Sequence, residues 1–134
     1  MIQRIQSIYL TFTSLVLLGG LFFYPHRLFY NAEEINVFKY PLLFLLLALT
    51  ALGPLTVVFL YKKRQLQFVF NRLLILVLFL FLTLHFIGYV KLETATANQV
   101  APLISYLIAV ILLVLANKAI KRDEDLVRAA DRIR

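Results

Sequence analysis

Four long apolar runs organise the chain: Ile5 to Phe23, Tyr40 to Tyr61, Leu73 to Val90, and Leu103 to about Ala116. A helix rises ~1.5 Å per residue, so about 20 apolar residues cross ~30 Å of hydrocarbon. The first three runs meet that length. The fourth falls short unless its helix takes in Ala101 and continues to Ala119, and that extension is expected. The pattern therefore predicts spans over about 5–23, 40–61, 73–90 and 101–119, with a polar tail over 120–134. The expected fold is an all-α membrane protein: one domain, a four-transmembrane-helix bundle with a cytoplasmic C-terminal helical extension.

Pro41 sits where a helix would begin, and a missing N–H costs little there. Gly53-Pro54 lies inside the second run, where proline removes a hydrogen bond and bends a helix unless packing accommodates it. Pro102 reads as the natural start of the fourth helix. The first run leads into "LFFYPHRLFY", whose bulky residues do not suit a secretory cleavage site, so a retained span is expected. The connector Tyr24 to Tyr40 is aromatic and amphipathic. Phe29, Tyr30, Phe38 and Tyr40 would suit the headgroup layer, in a short helix or a hairpin.

Composition supports a membrane chain. Hydrophobic residues make up 62%, above the ~45–50% of soluble domains, and the mean hydropathy is +0.86. The net charge of +7 raises nucleic acid as a partner, but the basic residues fall in short blocks between apolar runs, with no basic domain to read a duplex. Nucleic acid is not an expected partner. Cysteine is absent, which excludes disulfides, thiolate metal sites and cysteine nucleophiles.

The basic residues set the threading. Arg4, Lys62, Lys63, Arg64, Arg72, Lys118, Lys121, Arg122, Arg128, Arg132 and Arg134 fall on one side, and only Arg27, Lys39 and Lys91 on the other. The positive-inside rule then predicts that both termini are cytoplasmic.

Chemistry is scarce. All seven acidic residues lie outside the runs, so the buried carboxylate of an ion-coupled carrier is missing. His85 is the one His, Asp, Glu, Lys or Arg side chain inside a run, and His26 follows the first run on the same side. Two histidines at similar depth could ligate a haem. The plainer expectation is that His85 hydrogen-bonds a hydroxyl across the bundle. Thr11, Thr13, Ser14, Thr50, Thr56, Thr83 and Ser105, with Gly19-Gly20 and Gly88, read as packing residues. The zinc-protease, serine-hydrolase, P-loop and dithiol motifs are all absent. No catalytic residue, metal ligand or cofactor is expected, and the protein does not read as an enzyme.

The tail "ANKAIKRDEDLVRAADRIR" is the other distinctive stretch. On a helix, Ile120, Leu126, Val127, Ala130 and Ile133 share one broad side. Lys121–Asp125 and Glu124–Arg128 fall at i, i+4, and Asp131–Arg134 at i, i+3. Mixed charge suits protein docking at least as well as a grip on anionic lipid.

"MIQRIQSIYL" and "LANKAIKRDEDLVRAADRIR" resemble the two ends of domain of unknown function 4293, a family of small four-span inner-membrane proteins of Bacteroidetes. The resemblance implies four transmembrane helices and a bacterial inner-membrane location, and it implies no activity. The motifs lie at opposite ends of the chain, yet both are expected on the cytoplasmic side. Gln3, Arg4 and Gln6 are therefore expected to meet the tail, with Arg4 against Asp123 or Glu124. Gln3, Arg4, Gln6, Arg122, Asp123, Glu124, Arg128, Asp131 and Arg132 form the candidate interaction surface, and His85 is a lesser intramembrane candidate.

The function expected is that of an interaction, accessory or assembly subunit. Its partners are the lipid bilayer and either another protein or a second copy of the chain. A small oligomeric transporter or channel, with Gly53-Pro54 and His85 on its path, is the alternative. A haem- or lipid-handling membrane enzyme is a second alternative.

Overall fold

The computed structural model describes residues 3–24, 27–30, 33–61, 63–91 and 97–131, with side chains over 5–24, 36–61, 63–87, 90 and 100–130. Four helices carry the fold: α1 (Gln3–Phe23), α2 (Pro41–Phe59), α3 (Arg64–Lys91) and α4 (Ala97–Asp131). Each is long and apolar enough to cross a membrane. They form a ring in which sequence neighbours pack together and α4 returns to close on α1.

The connector after α1 is a hairpin. β1 (Arg27–Tyr30) pairs antiparallel with β2 (Glu33–Asn36), and β1 leans on α3. A single 3-10 turn, Val37–Lys39, follows; the Asn36 side-chain oxygen accepts from the Phe38 N–H at 3.1 Å. Tyr40 is extended, as the residue before a proline must be, and α2 starts at Pro41. Phe38 and Tyr40 are exposed, and the Phe38 ring packs on Phe44 with centroids 5.6 Å apart.

The helices are inside out by the standards of a soluble bundle. Leu10, Leu17, Leu47, Ala51, Leu78, Phe81, Tyr106, Ala109 and Leu113 fill a narrow core. Phe22, Phe23, Leu42 and Phe59 are among the many large apolar residues that face outward, each more than three-quarters exposed. An apolar surface of that extent suits lipid rather than water.

Small residues and hydroxyls set the helix spacing. The Ser14 hydroxyl donates to the Ala51 carbonyl at 2.7 Å, tying α1 to α2. A Cβ on Gly20 would stand 2.9 Å from Ser105 Oγ, so glycine is what lets α1 and α4 approach. Thr13 and Thr50 bond carbonyls one turn back on their own helices, each at 2.7 Å. These are packing roles, as the residue types led one to expect.

Both helix-interior prolines are absorbed. α2 runs through Pro54, which is buried, and the Thr56 hydroxyl donates to the Gly53 carbonyl at 2.7 Å. α4 begins at Ala97, five residues before Pro102, and the Ser105 hydroxyl donates to the Pro102 carbonyl at 2.7 Å.

Two helices outrun the apolar runs. α3 starts at Arg64, well before Leu73, and α4 continues unbroken to Asp131. At about 1.5 Å per residue, α4's 35 residues span ~52 Å, far more than the ~30 Å of a bilayer core. Part of α4 must stand clear of the hydrocarbon, and charge puts that part at its C-terminal end.

Candidate functional site

The chemistry of the molecule collects where α1 and α3 begin, α2 ends and α4 is extended. We call this the charged end. Four features build it: an ion pair, a layer of buried amides, a groove and a cleft.

Arg64, at the first position of α3, reaches Asp123 on α4. Its Nη1 donates to the Asp123 carbonyl at 3.3 Å, and its Nη2 lies 3.6 Å from Asp123 Oδ2. The second distance is too long for a hydrogen bond, so the carboxylate is paired by charge alone, and Oδ2 has no hydrogen-bond partner among the described residues. Asp123 is 8% exposed and Ile120, one turn before it, is fully buried. The first turn of the tail is thus part of the bundle.

Glu124 and Arg128 neutralise each other one turn along, at 2.6 Å. No ion pair joins Lys121 to Asp125 among the described residues. Arg72 lies over the Phe68 ring at 4.2 Å, which turns its charge back toward the charged end.

The amides lie deeper. Gly20 meets Ser105, Phe81 stacks on Tyr106, and Arg64 pairs with Asp123. Between antiparallel helices of equal rise these pairs fix the level of every other residue to within about one turn. Gln6 is then level with Ala119, Gln67 with Ile120, and Asn71 with Ala116. With Asn117, four amides share one layer, and Gln6, Gln67 and Asn71 are each no more than 5% exposed. Gln67 Nε2 donates to the Val57 carbonyl at 3.3 Å, at the end of α2. Gln6 Nε2, Gln67 Oε1, both polar atoms of Asn71 and Asn117 Oδ1 have no hydrogen-bond partner among the described residues. A buried polar atom left without a partner costs about 1–3 kcal/mol.

The groove runs between the α2–α3 turn and the α4 extension. Lys63, Arg64, Gln65 and Leu66 form one wall, Glu124, Val127 and Arg128 the other, around about 590 Å³. Leu126 and Val127 are 49% and 44% exposed, so the outer half of the tail's apolar side has no cover among the described residues. The cleft lies on the other side of α4, between it and the start of α1. Ile5, Tyr9, Leu115, Lys118, Ala119 and Arg122 surround about 360 Å³.

The sequence-derived surface is only partly a surface. Gln6 points into the bundle and cannot meet a partner, because its position continues the buried stripe of Leu10, Thr13 and Leu17. Asp123 is likewise buried, and its partner is Arg64. The side chains of Gln3, Arg4, Asp131 and Arg132 lie outside the described residues, so the expected pair of Arg4 with Asp123 or Glu124 does too. Arg122 and Arg128 are exposed, and Glu124 is half-buried against Arg128.

His85 is buried near the far end of α3. Its Nδ1–H donates to the Phe81 carbonyl at 3.0 Å, and the ring meets the edge of Tyr106 at 5.2 Å. His26 lies outside the described residues. Gly53 is packed under Leu74, whose Cδ2 would stand 2.5 Å from an added Cβ, so Gly53-Pro54 faces a neighbouring helix rather than a channel. Among the described residues no three His, Asp or Glu side chains come together.

The sequence profile of the family described as Domain of unknown function (DUF4293) matches residues 2–133. The chain belongs to this family. The match covers the four helices, the hairpin and the α4 extension together, so the charged end lies wholly within the DUF4293 region. No curated protein and no solved structure matches the chain.

Proposed function

We propose that this DUF4293 protein is an interaction or assembly subunit of the bacterial inner membrane, with both termini and the charged end in the cytoplasm. The observation that carries the reading is the construction of the tail. Arg64 and Ile120 hold its first turn in the bundle, which sets the next two turns at a fixed angle above the membrane. Those turns expose Leu126 and Val127, and Val127 lines a groove of about 590 Å³. A helix that merely ended in solvent would gain nothing from an apolar side.

The occupant of the groove is a protein segment. The walls mix Leu66 and Val127 with Lys63, Gln65 and the Glu124–Arg128 pair, the pattern of an apolar contact with a polar rim. The cytoplasmic placement is supported by the eleven Lys and Arg residues assigned to that side.

Two measurements test this. Single cysteines at Gln65 and Asp125 should react with a membrane-impermeant maleimide only after spheroplasts are opened; labelling of either in intact spheroplasts would overturn the orientation. In native membranes, crosslinked partners of the full chain should be lost in Val127→Glu while the helical content stays unchanged. An unchanged partner set would overturn the docking role. Truncation after Ala119 is a poorer variant, because it also removes Ile120 and Asp123 from the bundle.

A further inference from the structure

The cleft between α1 and α4 differs from the groove in what lines it. Its floor is apolar, from Ile5, Leu115 and Ala119, and the Tyr9 ring is half-buried beside them. Lys118 and Arg122, four residues apart on α4, share its rim. The fourth apolar run ends at Ala116, so Lys118 stands at the edge of the hydrocarbon and Arg122 one turn beyond it. Ile5 is the first residue of the first candidate span. The cleft therefore straddles the boundary between acyl chains and headgroups, with its carbon on one side and its charge on the other.

The charge of the tail is also unevenly balanced. On the α3 side of the tail, Arg64 with Asp123 and Arg128 with Glu124 cancel. No ion pair reaches Lys118 or Arg122 among the described residues. Asp125 lines an adjoining hollow together with Lys118, Lys121, Arg122 and Leu126, so positive charge is in excess in that lining. The near-neutral tail composition thus conceals a polarised helix. Its balanced side faces α3, and its basic side faces the cleft.

We infer that the α1–α4 cleft binds one anionic phospholipid, with the phosphate between Lys118 and Arg122 and the first part of an acyl chain along Ile5, Tyr9 and Leu115. A soluble phosphate would leave the apolar floor uncovered. A zwitterionic lipid would bring an ammonium beside its phosphate, and so no net charge to set against the two cations. The occupant is thus a lipid with net negative headgroup charge, and the site is independent of the protein-docking groove.

Native mass spectrometry of the full chain in detergent tests it, with phosphatidylglycerol and phosphatidylcholine of identical acyl chains competing at equal concentration. Two basic residues at such a surface correspond to a preference of about tenfold or more for the anionic lipid. The K118Q/R122Q double variant should reduce that preference to less than about twofold, while R128Q, on the groove side, should retain it. Inorganic phosphate should leave the bound lipid in place. A preference that survives K118Q/R122Q, or a lipid that inorganic phosphate displaces, overturns the assignment. The wild-type chain gives a reading that does not depend on the variants' folding. A photoactivatable phosphatidylglycerol with its reactive group near the start of the acyl chain should mark peptides containing Ile5–Tyr9 and Leu115–Arg122. Labelling confined to other peptides overturns the site.

Discussion

Arg64 and Asp123 lie 59 positions apart, yet one guanidinium holds both the backbone carbonyl and the carboxylate of the aspartate. The contact joins the first residue of α3 to the charged extension of α4. It turns a helix end into a fixed part of the bundle.

Breaking that contact should cost stability. Arg64 is 26% and Asp123 11% exposed in their side chains, between the surface and buried limits. Arg64→Ala and Asp123→Ala should each destabilise the chain by about 1–3 kcal/mol, with coupling of about 1 kcal/mol in the double-mutant cycle. Unfolding midpoints in detergent give the four values. Strictly additive effects would show that the pair contributes nothing.

The tail should divide sharply at Asp123. Ile120→Ala removes a fully buried side chain and should cost about 2–4 kcal/mol. Val127→Ala lies beyond the division and should change stability by less than about 0.5 kcal/mol. Equal losses at the two positions in the same unfolding assay would mean that the outer tail is docked on its own chain.

The paired glycines of α1 should respond differently. An added Cβ at Gly19 meets nothing within 4 Å, whereas at Gly20 it meets Ser105 Oγ at 2.9 Å. Gly19→Ala should be neutral or stabilising, by up to about 1 kcal/mol from helix propensity. Gly20→Val should push α1 from α4 and lower the thermal midpoint. Reversal of that order would contradict the α1–α4 contact.

The amide layer makes a prediction of opposite sign. Asn71 is fully buried with neither polar atom hydrogen-bonded among the described residues. Asn71→Leu should therefore leave the chain as stable or raise its stability by about 1 kcal/mol. A large loss in the same assay would show that the layer is satisfied by groups that bridge it.

The four helices were legible because lipid requires long apolar runs, and runs are easily read. What escaped was the continuation of helix faces beyond them. Arg64, Gln67 and Asn71 lead at helical spacing into Leu74, Leu78 and Phe81, so one stripe crosses from charge to hydrocarbon. A reading that starts α3 at Leu73 cuts that stripe and misses the amides. Gln6 was misplaced for a related reason. Glutamine near a chain end reads as surface, yet its spacing to Leu10 and Thr13 already put it inside. Asp123 reads as surface from the sequence, yet it is buried and paired with Arg64; both α1 and α3 pack against α4, and the sequence does not say which of them meets it.

The docking role of the outer tail is tested most directly by a photocrosslinking amino acid at Val127 in native membranes, with Ile111 on the outward face of α4 as the control. The expected result is one discrete protein adduct at position 127 that is absent at 111 and lost when Leu66→Glu alters the facing wall of the groove. Only lipid adducts at 127, or the same products at both positions, would contradict it.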